Sequence, residues 1–472
     1  MATIRTTKTD VIWNYVGTVV SMASGFVLLP LLMRYLTSEE LGLWYVFTAV
    51  ASLAMLFEFG FSPTFARNIV YVVSGARRIT SEGCDSGSVR EGTDWHLLKT
   101  VIYASKMVYA GIAVLVALVL GTFGTCYIGV VAELVEPLTR WVSWVIFVIS
   151  IFLNLYFLYT ITLLRGFGDI AGENRAKTLA RFCQLLISAL LLVAGAGLIG
   201  ASLGYLMNGV LLRLFAAMQL SKHVEINAGI KSDSSAPTKD EIGLVFSTVS
   251  HVAWRDGLVQ LACYASTHAM SLVGSLTLGL SETGTYSVLL QFGNAVYSFA
   301  AAYPSSFFPS FQAAHVEGNV TQQRLLVAKS FTLYWLLFMV GAMGVAIFIM
   351  PLLPYIKRGF VPDQPLFLMI CLYLALWNHH SLACNFIIGM NEIPYLAGYI
   401  FAAFVGVPLS YALSGVLGWG PWGLVLGQAI SQLLYNNWKW PMYLARKLGT
   451  TYLNLLHIGC EALKCEFDRH AS

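Results

Sequence analysis

Hydrophobic residues in this chain fall in continuous blocks of roughly span length, without the strict alternation of a half-buried strand. A hydrocarbon core about 30 Å thick needs about 20 apolar residues per helix. Blocks of that kind occupy 11–33, 41–62, 101–123, 141–163, 182–198, 200–220, 257–279, 284–303, 331–350, 366–388, 394–416 and 421–438. The apolar stretch 182–220 exceeds one span and is divided at GAGLIGAS (195–202), a tight-turn composition. Continuous runs argue against a membrane barrel. The pattern predicts an all-α polytopic membrane protein with about 12 transmembrane helices.

Composition agrees. Of 472 residues, 57% are hydrophobic and only 11% charged, where a soluble domain carries about a quarter charged residues. The first apolar run is too long for a signal-peptide core and lacks a small-residue cleavage site, so it reads as the first span. With the N-terminus inside, the outer loops hold only Arg34, Arg140, Lys357 and Arg358 of the 28 basic residues, while Glu39, Glu40, Glu133, Glu136, Glu282 and Asp363 lie outside. That asymmetry predicts cytoplasmic N- and C-termini.

The long hydrophilic segments, 63–100, 221–241, 304–330 and 439–472, then all lie inside, which leaves no outer loop able to fold as a catalytic domain. The expected division is an N-terminal six-helix bundle (1–220), a cytoplasmic linker with an interfacial helix (221–256), a C-terminal six-helix bundle (257–438) and a cytoplasmic tail (439–472). A weak internal repeat supports two halves. ELGLWY (40–45) opens the second span and ETGTYS (282–287) the eighth, each followed about twenty residues later by a proline, Pro63 or Pro304.

Ionisable groups within spans are candidates for function. In WRDG (254–257), the thirteen residues 242–254 are too few to span, so they read as an interfacial helix with Arg255 at the inner mouth of the seventh span. Arg255 either snorkels there or faces a central cavity and holds an anionic headgroup. Glu58 lies near the inner end of the second span and serves either as a coupling-ion carboxylate or as a partner for Arg67. Adjacent His379 and His380 in WNHHS (377–381) point about 100° apart on a helix. They bind sugar hydroxyls, relay protons, or hydrogen-bond to neighbouring helices. Asn14, in the first span, completes the candidate substrate-binding set of Arg255, Arg67, Glu58, His379 and His380.

Catalytic and cofactor chemistry find no support. The eight cysteines contain no C-x-x-C pair, and Cys126, Cys183, Cys263, Cys371 and Cys384 lie in or beside apolar runs as small hydrophobes. LRGFGDIAGE (164–173) lacks the preceding strand and the G-K-[ST] of a phosphate loop. No metal and no cofactor are expected.

Three stretches carry a family resemblance: LTSEELGLWYVF (36–47), LFEFGFSPTFARN (56–68) and YVVSGA (71–76). They resemble the polysaccharide transporter family, the lipid-linked oligosaccharide (O-antigen unit) flippase branch of the multidrug/oligosaccharidyl-lipid/polysaccharide exporter superfamily. WRDGLVQ (254–260) and GLSETGTYSVLLQ (279–291) resemble the second half of that branch. Glu58 stands where the family usually has Asp, and Asp256 departs from the family's apolar residue. The resemblance implies a V-shaped pair of six-helix bundles working by alternating access in a bacterial inner membrane. The implied substrate is an undecaprenyl-pyrophosphate oligosaccharide, flipped from the cytoplasmic to the periplasmic leaflet. Surrounding membrane lipids, a polysaccharide polymerase and a chain-length regulator are the implied partners, and nucleic acid is not. A multidrug exporter driven by cation antiport and a membrane-bound polymerase are the alternatives.

Overall fold

The computed structural model describes residues 27–471 apart from 59, 74, 81–82, 85–91, 267–268, 306, 309–310, 312–313, 316–317, 358, 391 and 393. The chain is built from helices. α1 is described over 27–35; α2 (Ser38–Leu56), α3 (Phe61–Val73), α4 (Trp95–Val131), α5 (Pro137–Gly166), α6 (Ile170–Val193), α7 (Gly197–Leu220), α8 (Val224–Ser232) and α9 (Lys239–Ser266) follow. Then come α10 (Ala269–Thr277), α11 (Leu280–Ser305), α12 (Val320–Ile356), α13 (Gln364–Gly389), α14 (Leu396–Val416), α15 (Pro421–Leu433), α16 (Asn436–Lys447) and α17 (Tyr452–Ala471). The sole sheet among the described residues is a minimal antiparallel ladder, β1 (Ile79–Thr80) on β2 (Gly83–Cys84). Among the described residues eight helices, α2, α4, α5, α6, α7, α12, α13 and α14, are long and apolar enough to cross a membrane.

Loop carboxylates start many of these helices. Thr37 and Glu40 form a reciprocal capping box on α2, with Thr37 N–H donating to Glu40 at 2.9 Å and Glu40 N–H to the Thr37 hydroxyl at 3.1 Å. Asp94, Glu136, Asp169 and Asp363 cap α4, α5, α6 and α13 by one-way bonds, each accepting from backbone N–H of the first turn. Glu40, Glu136 and Asp363, three of the acidic residues expected outside, therefore have a local structural task.

Three elements differ from the expected pattern. α9 runs unbroken from Lys239 to Ser266, so Trp254, Arg255 and Asp256 lie inside one helix and not at the start of a span. One glycine, Gly257, costs a helix interior only about 1 kcal/mol and does not end it. Expected span 41–62 breaks after Leu56, where Gly60 at φ 76° takes a backbone conformation that suits glycine. Expected span 421–438 breaks between α15 and α16, at Leu434 and Tyr435. The break expected within 195–202 does occur, with Gly195 at φ 84°.

The chain divides into two compact units, Met1–Leu261 and Ala262–Ser472. In the first, α3 packs against α4 and α5, and α7 packs against α5 and α6. Its core joins Phe61, Phe65 and Ile69 of α3 to Leu98, Val101 and Tyr109 of α4, with Val245 and Val249 of α9. In the second, α12 packs against α11 and α17, α13 against α16, and α14 against α15. The residues expected to form a tail are therefore partly built into the second unit through α16 and α17. Two long helices share a backbone feature. α4 and α12 are each 37 residues long, and each turns π-helical after 25 residues, at Leu120–Gly124 and at Val345–Ile349. Leu118, Phe123, Leu190 and Phe404 stand exposed, as lipid-facing side chains do.

Candidate functional site

Each unit gathers polar groups around an interrupted helix. In the first unit the interruption between α2 and α3 carries Glu58. Its Oε1 accepts from the Ser62 backbone N–H and, at 3.3 Å, from the Tyr109 hydroxyl of α4. Ser62 Oγ lies 2.9 Å from Thr162 Oγ1 of α5, and Tyr109 Oη lies 3.4 Å from the same atom. Glu58 thereby ties α3, α4 and α5 together.

One turn beyond Thr162, Arg165 donates to both oxygens of Glu173, Nε at 3.1 Å and Nη2 at 2.5 Å. Lys177 Nζ reaches the same carboxylate at 2.6 Å. Glu173 is 4% exposed, whereas the side chains of Arg165 and Lys177 are 43% and 42% exposed. A buried carboxylate is thus matched by two cations that face outward. The residues that invite comparison with a phosphate loop form a tight corner between α5 and α6. Gly168 there has φ 79°, and Asp169 caps α6. Asp169 also pairs with His223 Nε2 at 3.2 Å, and the His223 hydrogen bond holds its carboxyl below the usual range, helped by the Gly172 N–H.

The expected partnership of Glu58 with Arg67 does not form. Arg67 is exposed on α3, and Glu58 accepts instead from Ser62 and Tyr109. Asn14 and the side chain of Arg255 lie outside the described positions.

In the second unit, α13 places Asn378, His379 and His380 in the interior. His379 sits in an aromatic box, with ring centroids of Phe331, Trp335, Tyr334 and Tyr452 at 4.6, 5.1, 5.8 and 5.6 Å. Its Nε2 is 3.0 Å from the Tyr452 hydroxyl, which accepts from Trp335 Nε1–H at 3.1 Å. His380 faces the other way. Its Nδ1 is 2.9 Å from Asn437 Oδ1, and the rings of Tyr399 and Trp377 lie edge-on at 5.4 and 6.0 Å. The adjacent imidazoles therefore serve different neighbours, α12 and α17 for His379, α14 and α16 for His380.

The break between α15 and α16 supplies the rest. Asn436 Nδ2 donates to the Gly398 carbonyl at 3.1 Å and to Gln432 Oε1 at 2.8 Å, and Trp440 Nε1–H donates to Asn436 Oδ1 at 2.9 Å. Several buried polar atoms remain without protein partners: His379 Nδ1, His380 Nε2, Asn437 Nδ2, and both amide atoms of Asn378 and Gln428. Each such atom costs about 1–3 kcal/mol unless water or a ligand satisfies it. The cluster is neutral and holds no metal-binding set, since no group of three His, Cys, Asp or Glu side chains able to hold a metal occurs among the described residues.

Sequence reasoning singles out the two histidines and Glu58 as candidates, and the structure places them in these polar clusters. It misses Tyr452 and Asn437, which fall in or beside the expected tail, and the Arg165–Glu173–Lys177 group. The Gly168 turn between Arg165 and Glu173 is the available signal for the last.

The family model described as polysaccharide biosynthesis protein matches residues 8–315. The chain belongs to that family. No curated protein matches it. Its fold is shared with transporters of the MOP superfamily. It superposes on an inward-facing multidrug resistance MATE transporter with a TM-score of 0.64 at 18% identity, covering 92% of this chain and 95% of that one. The lipid II flippase MurJ in an inward closed conformation gives 0.65 at 12% identity, covering 98% and 92%. A point mutant of the Vibrio cholerae MATE transporter VcmN gives 0.58 at 13% identity, covering 93% and 96%. The protein is a multi-pass membrane protein of the polysaccharide biosynthesis family with the fold of these transporters.

Proposed function

We propose that this protein is a flippase for lipid-linked oligosaccharide repeat units, moving them from the cytoplasmic to the periplasmic leaflet of a bacterial inner membrane for O-antigen or related surface polysaccharide. The observation that carries this reading is the family match to polysaccharide biosynthesis on a chain whose fold is that of transporters, a lipid flippase among them.

The physical need is plain. A pyrophosphate and a sugar chain cross hydrocarbon only if each charge and hydroxyl lost to water finds a replacement. The N-terminal unit offers outward-facing cations at Arg165 and Lys177, with Arg67 exposed on α3. The C-terminal unit offers neutral donors and acceptors with open valences, suited to hydroxyl groups. Arg255 keeps the headgroup-binding role, with snorkelling as its alternative, and Asn14 remains a candidate substrate-binding residue. Glu58 keeps the alternative of a coupling carboxylate. His379 and His380 bind substrate hydroxyls or relay protons. The undecaprenyl carrier stays in lipid throughout. Both termini are cytoplasmic in this reading, by the distribution of Lys and Arg, and a polymerase and chain-length regulator use the product.

Deletion of the coding sequence, followed by leaflet-resolved tracking of lipid-linked repeat units, tests the proposal. Units accumulate on the inner leaflet and polymer disappears if it holds. Normal delivery to the outer leaflet in a strain shown to have no second flippase overturns it. The MATE neighbours favour multidrug export as the second reading, and drug sensitivity of the same deletion strain distinguishes it.

A further inference from the structure

A groove of about 590 Å³ opens where α7 ends and α8 begins. Arg213, Ala217 and Leu220 form its α7 wall, and Val224, Asn227 and Lys231 form its α8 wall. α8 is held in place from behind. Gly229 lies against the Trp95 ring so closely that a Cβ would meet ring carbons at 2.5 Å, and Ile226 and Ile230 pack into the core of the first unit. Asn227 Nδ2 donates to the Leu220 carbonyl at 2.9 Å, fixing the corner between the two helices. The groove is therefore preformed.

Two cations line it, and among the described residues neither Arg213 nor Lys231 is paired with a carboxylate. The Arg213 guanidinium lies 5.6 Å over the Phe157 ring, which orients it without neutralising its charge. Arg213 is seven residues before Leu220, the end of the apolar helix α7, and so about 10 Å inside it at 1.5 Å per residue. A lone cation at that depth is costly unless it snorkels or finds an anion. The helix face beside the groove exposes Leu214 and Met218, and Val224 is exposed on α8. An occupant must therefore combine an anionic group with apolar chains.

We propose that this groove binds the phosphodiester headgroup of an anionic phospholipid, with Arg213 and Lys231 on the phosphate and the acyl chains along the Leu214–Met218 face. A soluble phosphate satisfies the cations but not the apolar wall, and a zwitterionic lipid brings its own cation against Lys231. The site is independent of the flippase reading, because it concerns a resident lipid of the surrounding leaflet and not cargo.

The test uses the full-length protein in a neutral maltoside detergent and measures the thermal unfolding midpoint during titration with short-chain phosphatidylglycerol, short-chain phosphatidylcholine or inorganic phosphate. Phosphatidylglycerol raises the midpoint of the wild type in a saturable manner, as expected for a ligand that binds only the folded state. Phosphatidylcholine and phosphate leave it unchanged. The double variant Arg213→Gln/Lys231→Gln loses the shift while keeping the wild-type midpoint without lipid. Lys231→Glu, a change at an exposed side chain, loses it as well and serves where the double variant does not fold. An undiminished shift in Lys231→Glu, no shift in the wild type, or an equal shift with inorganic phosphate or phosphatidylcholine overturns the proposal.

Discussion

The two units interrupt a helix in different chemical ways. Between α2 and α3 the interruption carries a carboxyl group: Glu58 bridges the break to α4 by hydrogen bonds, and the ion-paired Arg165, Glu173 and Lys177 lie beyond it. Between α15 and α16 it is neutral: Asn436, Asn437, Gln432 and the histidines of α13 meet there, with several valences left open. Charges inside a membrane protein need partners, and Arg165, Glu173 and Lys177 supply one another's. Neutral groups survive burial with partial satisfaction, so the second unit retains unused donors and acceptors. The first unit thus holds its charges in an internal ion-pair group, while the second keeps open hydrogen-bonding valences.

Breaking the ionic side gives the largest expected effect. Glu173→Ala leaves Arg165 and Lys177 without their buried counter-ion, and unpairing such a group costs about 3–5 kcal/mol when all partners are buried. Because the two cations are about two-fifths exposed, solvent screening reduces this to about 1–2 kcal/mol. It appears as a lower unfolding midpoint, and the triple variant Arg165→Ala/Glu173→Ala/Lys177→Ala recovers part of it. A triple variant less stable than the single one contradicts the pairing.

The neutral side responds with the opposite balance. Replacing His380 and Asn437 together by Leu removes both partners of one buried hydrogen bond and two open valences, so stability is unchanged within about 1 kcal/mol or rises, while transport is lost. Loss of stability with retained transport assigns the cluster to the fold alone.

A smaller effect is expected at Asp169, in the α5–α6 corner. The depressed Asp169 carboxyl contributes stability that is fully present above its unfolded value, about 3.9, and is lost as pH falls through the lower folded value. Asp169→Asn flattens the acid limb of the stability profile and leaves the neutral range unchanged in slope. The smallest effect belongs to Arg67→Gln. With Arg67 exposed and its expected partner Glu58 engaged elsewhere, stability moves by less than about 0.5 kcal/mol. A larger loss revives the Glu58–Arg67 pair.

How far the sequence foretells this molecule depends on which interaction decides each element. The apolar runs identify the long helices, because burying backbone in lipid leaves few alternatives. The turn within 195–202 is legible because its glycines are local signals. The break at Tyr435 is not, since Leu-Leu-Tyr-Asn-Asn carries no glycine or proline, and a tertiary bond from Asn436 to the Gly398 carbonyl holds it. The continuity of α9 through Arg255 escapes a reading that weighs charged residues as a span boundary, whereas a helix tolerates them wherever its side chains find a suitable surface. Tyr452 is hidden by position, counting as tail in the sequence while its hydroxyl meets His379 inside the second unit.

The most direct measurement reconstitutes the purified protein in liposomes carrying a fluorescent undecaprenyl-pyrophosphate oligosaccharide and follows the fraction protected from a membrane-impermeant quencher. The account predicts that the probe exchanges between leaflets with wild-type protein and does not with the His380→Leu/Asn437→Leu variant, and that an amphipathic cation such as ethidium is not carried by either. Transport of ethidium without movement of the lipid-linked sugar contradicts it.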